Sequence, residues 1–428
     1  MRIMNSKINF SNRYVLALSF GNYLKGDGGT DKVIAEHQRL FNNAGISYIQ
    51  IAPVGKKADK KRRPFYTMVV DGQYSNLLEE ASLSCFLDGL RLKGHSLCGI
   101  FIHHLLKFKL DFIEKICDST DAPIFFMLHD YYSICKQYKL INSNGVYCGT
   151  GSPTKHKCKA CRYFEENRDH TKIISIFYDK YRDRITIISP SKAALNIWNE
   201  SYGDLGLSYK VIPHQKLESK YKKEESQNSI INIAFIGKLV YPKGSELWEE
   251  IITSIIPNNN QYKAYYMGVS ENNSNSVEKV NVFVTPNEPD AMVNALRKHN
   301  IDVVLLWSIW PETYSYTYYE AFAADCFVLT SVYSGNIAGM VSENGNGKVF
   351  GSEHDVLRYL SRTCNLLTDL RSAKIAGPKR LLANDEIITL TDGCNHSLSM
   401  NYKTSIISRV QAAVMNKLYM YKYMRNLK

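Results

Sequence analysis

Two glutamates, Glu312 and Glu320, stand seven residues apart in Trp310-Pro311-Glu312-Thr313-Tyr314-Ser315-Tyr316-Thr317-Tyr318-Tyr319-Glu320-Ala321. The apolar run 303–307 before them reads as a buried strand, and a helix is expected from Tyr316 onward. Glu312 then sits at a strand's carboxyl end, where open α/β sheets bind ligands. Glu320 lies two turns further on, roughly eight residues at 3.6 per turn and about 12 Å deeper. That spacing suits a nucleotide-sugar, with one carboxylate near the sugar and one near the ribose. The amides around Ser315 and Tyr316 would open the helix, where free N–H groups favour an anion. The plainer reading is a pair of solvated helix carboxylates, and neither residue decides between them alone.

Other groups have matching chemistry. Gly237-Lys238-Leu239-Val240-Tyr241-Pro242-Lys243-Gly244 follows a predicted strand over 231–236. Lys238 and Lys243 could neutralise a departing diphosphate there; an ordinary basic loop is the alternative. An earlier strand–glycine–helix entry, with Gly28 and Gly29, lets a backbone approach phosphate closely. Thr30 is its expected N-cap. His129 ends a predicted strand over 123–128, and His103-His104 end another over 98–102. A structural, hydrogen-bonded histidine is the competing reading. Cys135, Cys148, Cys158 and Cys161 could close a tetrahedral zinc site, but only the last pair has C-x-x-C spacing. Nearby lysines, Lys136, Lys139, Lys155, Lys157 and Lys159, would favour thiolate. Structural zinc, free thiols and redox switching all remain open.

The elements that must carry these groups alternate. Strands are expected over 13–20, 47–52, 66–70, 98–102, 123–128 and 185–189. Helices fall between them, including one over 77–92 and one over 105–117. Further strands are read over 264–268 and 280–284, with a helix over 290–298. Such alternation implies parallel sheets covered by helices on both faces. Ser191 is expected to cap the helix after the strand at 185–189.

With 428 residues, 45% hydrophobic and 22% charged, the chain has room for two globular domains. No apolar run approaches the roughly 18 residues that span a bilayer. The first apolar run is shorter than the about 7–15 residues of a signal-peptide core, so a cytoplasmic protein is expected. Ten cysteines without such a signal argue against a disulfide framework. A net charge of +12 fits anionic substrates or an anionic membrane face; no nucleic-acid motif accompanies it.

The Glu312–Glu320 stretch, with its continuation through Ser334-Gly335-Asn336 to Gly347, resembles the retaining glycosyltransferases of family 4. The resemblance covers about residues 12–400. It implies a GT-B fold: two Rossmann-like parallel-sheet domains facing a central cleft, with a C-terminal helix crossing back to the first. The corresponding division is an acceptor-side domain over 1–215 with a cysteine-bearing insertion near 135–165, a polar linker over 216–230, a donor-binding domain over 231–399, and a basic amphipathic helix over 400–428. That tail either packs on the first domain or lies on a membrane surface. The implied activity is metal-independent transfer of a sugar from a nucleotide diphosphate sugar to a saccharide or lipid-linked saccharide, in bacterial surface polysaccharide assembly such as lipopolysaccharide or capsule, peripheral to the inner membrane face. Lys238 and Lys243 would stabilise the departing diphosphate, and Glu312 would hold the sugar. Glu320 would bind the ribose, and His129 would contact the sugar from the other domain. Gly28, Gly29, Gly237, Ser315 and Tyr316 would line the donor. The pattern departs in three places: Lys238 replaces an arginine, Tyr314 a phenylalanine, and Gly335-Asn336 a glycine pair. An inactive sugar-nucleotide-binding partner, a phosphorylase and an epimerase are the alternatives.

Overall fold

The computed structural model describes residues 10–26, 28–55, 65–149, 151, 154–219, 230–269, 277–285, 288–373, 379–400 and 417. The polar stretch 220–229 and nearly all of the tail beyond 400 lie outside them.

Eight strands form the first sheet: β1 (Arg13–Leu18), β2 (Ile46–Pro53), β3 (Phe65–Val70), β4 (Gln73–Glu79), β5 (Ser96–Ile102), β6 (Ile124–Met127), β7 (Ile185–Ser189) and β8 (Ser208–Val211). Their order is β4-β3-β2-β1-β5-β6-β7-β8. Only β3 and β4 run antiparallel to their neighbours. After β9 (Gln215–Ser219) comes the second sheet: β10 (Ile231–Ile236), β11 (Tyr262–Met267), β12 (Glu278–Val280), β13 (Val303–Leu306), β14 (Phe327–Ser331) and β15 (Gly347–Phe350). It is parallel throughout, in the order β12-β11-β10-β13-β14-β15. The central strands are apolar and buried, Tyr14–Leu18 and Val303–Leu305 completely so. That is the mark of strands covered on both faces.

In each sheet the first strand has later strands on both sides, β1 between β2 and β5, and β10 between β11 and β13. Strand order reverses there, which opens a crevice at the carboxyl ends. Both glycine loops follow these two strands.

The chain then returns to the first sheet. β16 (Lys379–Ala383) pairs antiparallel with β9. Beyond it, Arg13 Nη2 donates to Thr391 O at 2.8 Å, and Ser84 Oγ donates to Met400 O at 2.7 Å. Leu398 and Met400 are buried in the first sheet's core.

Several sequence expectations need correction. Residues 77–92 are not one helix. Asp71 and Gly72 both take positive φ, 48° and 77°, and turn β3 into β4. Such a two-residue turn matches the twist of a hairpin, and the helix starts only at Glu80. The helix expected from 105 begins at Leu110, because the Leu106 amide is taken by His104 Nδ1 and Lys107 sits at φ 70°. Helix Gly29–Asn43 is capped by Gly28, not Thr30; the Gly28 amide donates to Asp31 Oδ2 at 3.2 Å. The strand read over 280–284 is Glu278–Val280.

Candidate active site

The segment after β13 lies at the centre of the crevice. Glu312 is 5% exposed, and its Oε1 lies 3.4 Å from Lys243 Nζ. Lys243 comes from the loop after β10, where Gly244 adopts φ 82° against Trp307. A Cβ on Gly244 would stand 2.5 Å from the Trp307 carbonyl oxygen, so the loop's path requires glycine there. Lys238 is exposed on the same loop; the ion pair to Glu312 is made by Lys243.

Helix Tyr316–Ala323 starts where expected, with Ser315 as N-cap. Ser315 Oγ pairs with Thr317 Oγ1 at 2.9 Å, so the cap hydroxyl leaves the helix amides alone. The Tyr318 amide donates to Ser315 O at 3.0 Å, which leaves the Tyr316 and Thr317 amides as the first-turn donors without an intrahelical acceptor. Both glycine loops reach this turn. A Cβ on Gly29 would stand 3.9 Å from the Tyr316 ring, and one on Gly237 3.3 Å from the Thr317 methyl. Gly28 immediately precedes this contact as the cap of helix Gly29–Asn43. Glu320, one turn into this helix, is 5% exposed. Burial pushes its carboxyl up to about 7, against the pull of Lys32 and Lys243. Lys32 itself lies 5.5 Å from the Tyr316 ring centre.

The first sheet closes the site from the other side. Thr313 Oγ1 donates to His129 O at 2.6 Å, and Ser191 Oγ donates to Thr313 O at 2.8 Å. Ser191 also caps its helix as expected, accepting from the Ala194 amide at 3.1 Å. His129 belongs to a group of four imidazoles. Its Nε2 lies 2.8 Å from His103 Nδ1, and its ring centre 5.6 Å from that of His214. The rings of His37 and His103 are 5.4 Å apart. Burial holds all four below the ordinary imidazole range, His129 at about 4 and His37 at about 3. At His129 the nearby Asp130 opposes this and His104 reinforces it. His104 accepts the Leu106 amide at Nδ1, so its proton is on Nε2, 3.0 Å from Asp130 Oδ2.

The structure thus gathers Glu312, Lys243, Glu320, Ser315, Tyr316, Gly28, Gly29, Gly237 and His129 around one helix start. It adds groups that the sequence did not assign to this site. Lys139 spans from the cysteine-bearing insertion to 5.9 Å from the Trp310 ring centre. Burial and the nearby Lys243 lower its ammonium from the ordinary range, and Glu312 opposes them. His214, 4.6 Å ring to ring from Tyr314, and Lys32 are the others.

The zinc expectation is not supported. Among the described residues no three His, Cys, Asp or Glu side chains are grouped to hold a metal ion. Cys135 is buried and accepts from Asn167 Nδ2 at 3.0 Å, while Cys161 accepts from Ser143 Oγ at 3.7 Å. Burial pushes the Cys135 and Cys148 thiols each up to about 11.

No family model and no curated protein matches this chain. Solved structures do. Sucrose-phosphate synthase from Thermosynechococcus elongatus superposes with a TM-score of 0.52 at 12% identity, over 96% of this chain and 100% of that one. HepE from Anabaena, in complex with UDP, gives 0.51 at 12% identity, over 94% and 99%. The pneumococcal O-GlcNAc transferase GtfA, with UDP and GlcNAc, gives 0.52 at 8% identity, over 89% and 96%. At such identities the likeness establishes the fold, which is GT-B.

Proposed function

We propose that this chain is a retaining, family 4-type glycosyltransferase that moves a sugar from a nucleoside diphosphate sugar to a saccharide hydroxyl. The carrying observation is the Lys243–Glu312 pair at 3.4 Å, seated beside the helix start that both glycine loops approach. Buried Glu320 on that helix and His129 from the first sheet, whose carbonyl accepts from Thr313, complete the proposed site. On this reading residues 1–215 hold the acceptor, 216–230 connect, and 231–399 hold the donor.

Each residue has a distinct task. As the bond between C1 of the sugar and the diphosphate lengthens, negative charge grows on the leaving oxygen. Lys243 and Lys139 neutralise it, helped by the first-turn amides of helix Tyr316–Ala323. Lysines and amides supply this positive charge, so no divalent ion is required for the step. Glu312 holds the sugar hydroxyls and faces the positive charge building at C1. Glu320 accepts from the ribose hydroxyls. The acceptor hydroxyl attacks C1 from the face that the diphosphate leaves. The new C1–O bond forms as the old one breaks, and the hydroxyl proton passes to the departing phosphate oxygen. A net charge of +12 suits an anionic donor and an anionic acceptor such as a lipid-linked saccharide of a bacterial surface polysaccharide, taken up at the inner membrane face.

UDP, held by HepE and by GtfA, is the first probe. At a hundredfold excess over Kd a nucleotide that binds only the folded protein stabilises it by about 2.7 kcal/mol. Lys243→Ala is expected to slow turnover about a hundredfold, the scale of one lost charge stabiliser. If no nucleoside diphosphate raises the melting temperature and no nucleoside diphosphate sugar from a broad panel is consumed, the proposal fails.

A further inference from the structure

Tyr48, His103 and His129 form one line of hydrogen bonds beneath the proposed transfer site. Tyr48 Oη lies 3.0 Å from His103 Nε2, and His103 Nδ1 lies 2.8 Å from His129 Nε2. Tyr48 and His103 are each 1% exposed. Burial keeps both imidazoles neutral, so each ring carries a single proton. One nitrogen of His103 must therefore donate and the other must accept.

The hydroxyl of Tyr48 settles the direction. A buried O–H that donates to nothing costs more than an idle lone pair on the same oxygen. Tyr48 therefore gives its proton to His103 Nε2. His103 then holds its own proton on Nδ1 and donates it to His129 Nε2. His129 is left with its proton on Nδ1. Asp130, the nearest carboxylate in sequence, does not compete for it: Oδ2 is engaged by His104 and Oδ1 by the Tyr132 amide at 2.9 Å. Among the described residues no protein group takes His129 Nδ1.

We infer that Tyr48 and His103 are positioning residues that lock His129 as the Nδ1–H tautomer, so that it meets the bound sugar as a hydrogen-bond donor to a sugar oxygen and not as a base. This inference rests on the proposed sugar transfer for its purpose but not for its geometry. It separates His129 from a general base: the imidazole fixes the orientation of the sugar, and the proton of the acceptor hydroxyl goes to the leaving phosphate.

Nitrogen-15 spectra of histidine-labelled protein, with His129→Gln to assign the ring, read the tautomer directly. Wild-type His129 is expected as Nδ1–H. Tyr48→Phe keeps the ring that packs 5.9 Å from Phe41 but removes the hydroxyl, and should release a mixture of tautomers. It should lower kcat about tenfold, the scale of one hydrogen bond, and change the donor KM less than about twofold. His103→Asn places an amide N–H where Nδ1–H was and should keep most of the wild-type rate and the tautomer. His103→Leu should keep neither. An Nε2–H proton on wild-type His129, or a Tyr48→Phe protein with unchanged tautomer and kcat, overturns the inference. A wild-type protein that shows the Nδ1–H tautomer yet transfers no sugar overturns the transfer reading and leaves the lock intact.

Discussion

Glu320→Gln should make the folded protein more stable while weakening its grip on the donor. Burial moves this carboxyl from 4.5 to about 7, and the residue is only 5% exposed. Such a displacement corresponds to about 3 kcal/mol. The sign follows from proton counting. Below pH 4.5 both folded and unfolded chains hold the proton, and the group costs nothing. Between pH 4.5 and 7 the unfolded chain ionises while the folded chain keeps its proton, so stability falls as pH rises. Above pH 7 the whole cost is present. Glutamine carries no such titration. The stability gap between variant and wild type should therefore open from pH 5 to pH 8 by about 2.5 kcal/mol. Exchanging a carboxyl for an amide adds an offset of its own, but that offset does not vary with pH. Urea midpoints measured across this range, without nucleotide, read the change in the gap. Affinity should move the other way. Losing a hydrogen bond to a charged acceptor costs about 1.5–3 kcal/mol, so nucleotide affinity should fall at least about tenfold at pH 8. Parallel stability curves for the two proteins from pH 5 to 8 would refute the burial argument. Unchanged affinity would refute the role given to Glu320.

Two other substitutions probe the frame around the site. Gly335→Ala should cost about 2 kcal/mol in urea unfolding and depress turnover: Gly335 sits at φ 61°, and its Cβ would stand 2.6 Å from the Pro311 carbonyl carbon and 2.7 Å from Glu312 O. Lys379→Met should cost about 3–5 kcal/mol, because it strands Asp325, 4% exposed by side chain and 3.5 Å from the Lys379 ammonium, without its cation. Asp325→Asn combined with Lys379→Met should recover part of that loss in the same assay.

Local pattern made the second sheet's contribution readable. Val303–Leu306 is a continuous apolar strand, and the residues after Ser315 follow helical spacing, so Glu312 and Glu320 could be placed on their elements before any coordinates. The β3–β4 hairpin was equally legible, since Asp71-Gly72 between apolar runs is a strong turn signal, yet helical spacing over 77–92 obscured it. The four imidazoles were not legible. His37 lies on helix Gly29–Asn43, His103 follows β5, His129 follows β6 and His214 follows β8, and only the order β2-β1-β5-β6-β7-β8 brings them together. Proximity in sequence groups Lys139 with the cysteines, whereas its ammonium lies over Trp310. The cysteines failed as a ligand set for a related reason. Spacing counts residues along the chain, whereas the fold buries Cys135 against Asn167 Nδ2 and, among the described residues, groups no three ligand side chains.

The segment carrying Glu312 is also what the first sheet rests on. Thr313, the next residue, donates to His129 O and accepts from Ser191 Oγ. Tyr314 then meets the His214 ring and donates to Gln215 Oε1 at 3.4 Å. Drawing the two sheets apart would break these bonds together, at about 1 kcal/mol for each hydrogen bond. It would also carry the His129 imidazole away from Glu312, because both hang on the Thr313 contact. Contacts that hold the cleft closed and groups proposed to act on the sugar therefore occupy consecutive residues. A donor bound between Glu312 and His129 favours the closed arrangement in proportion to its preference for that state. On the proposed function, closure and assembly of the site then become one event, carried by the same contacts that bury Glu312, Thr313 and Ser315.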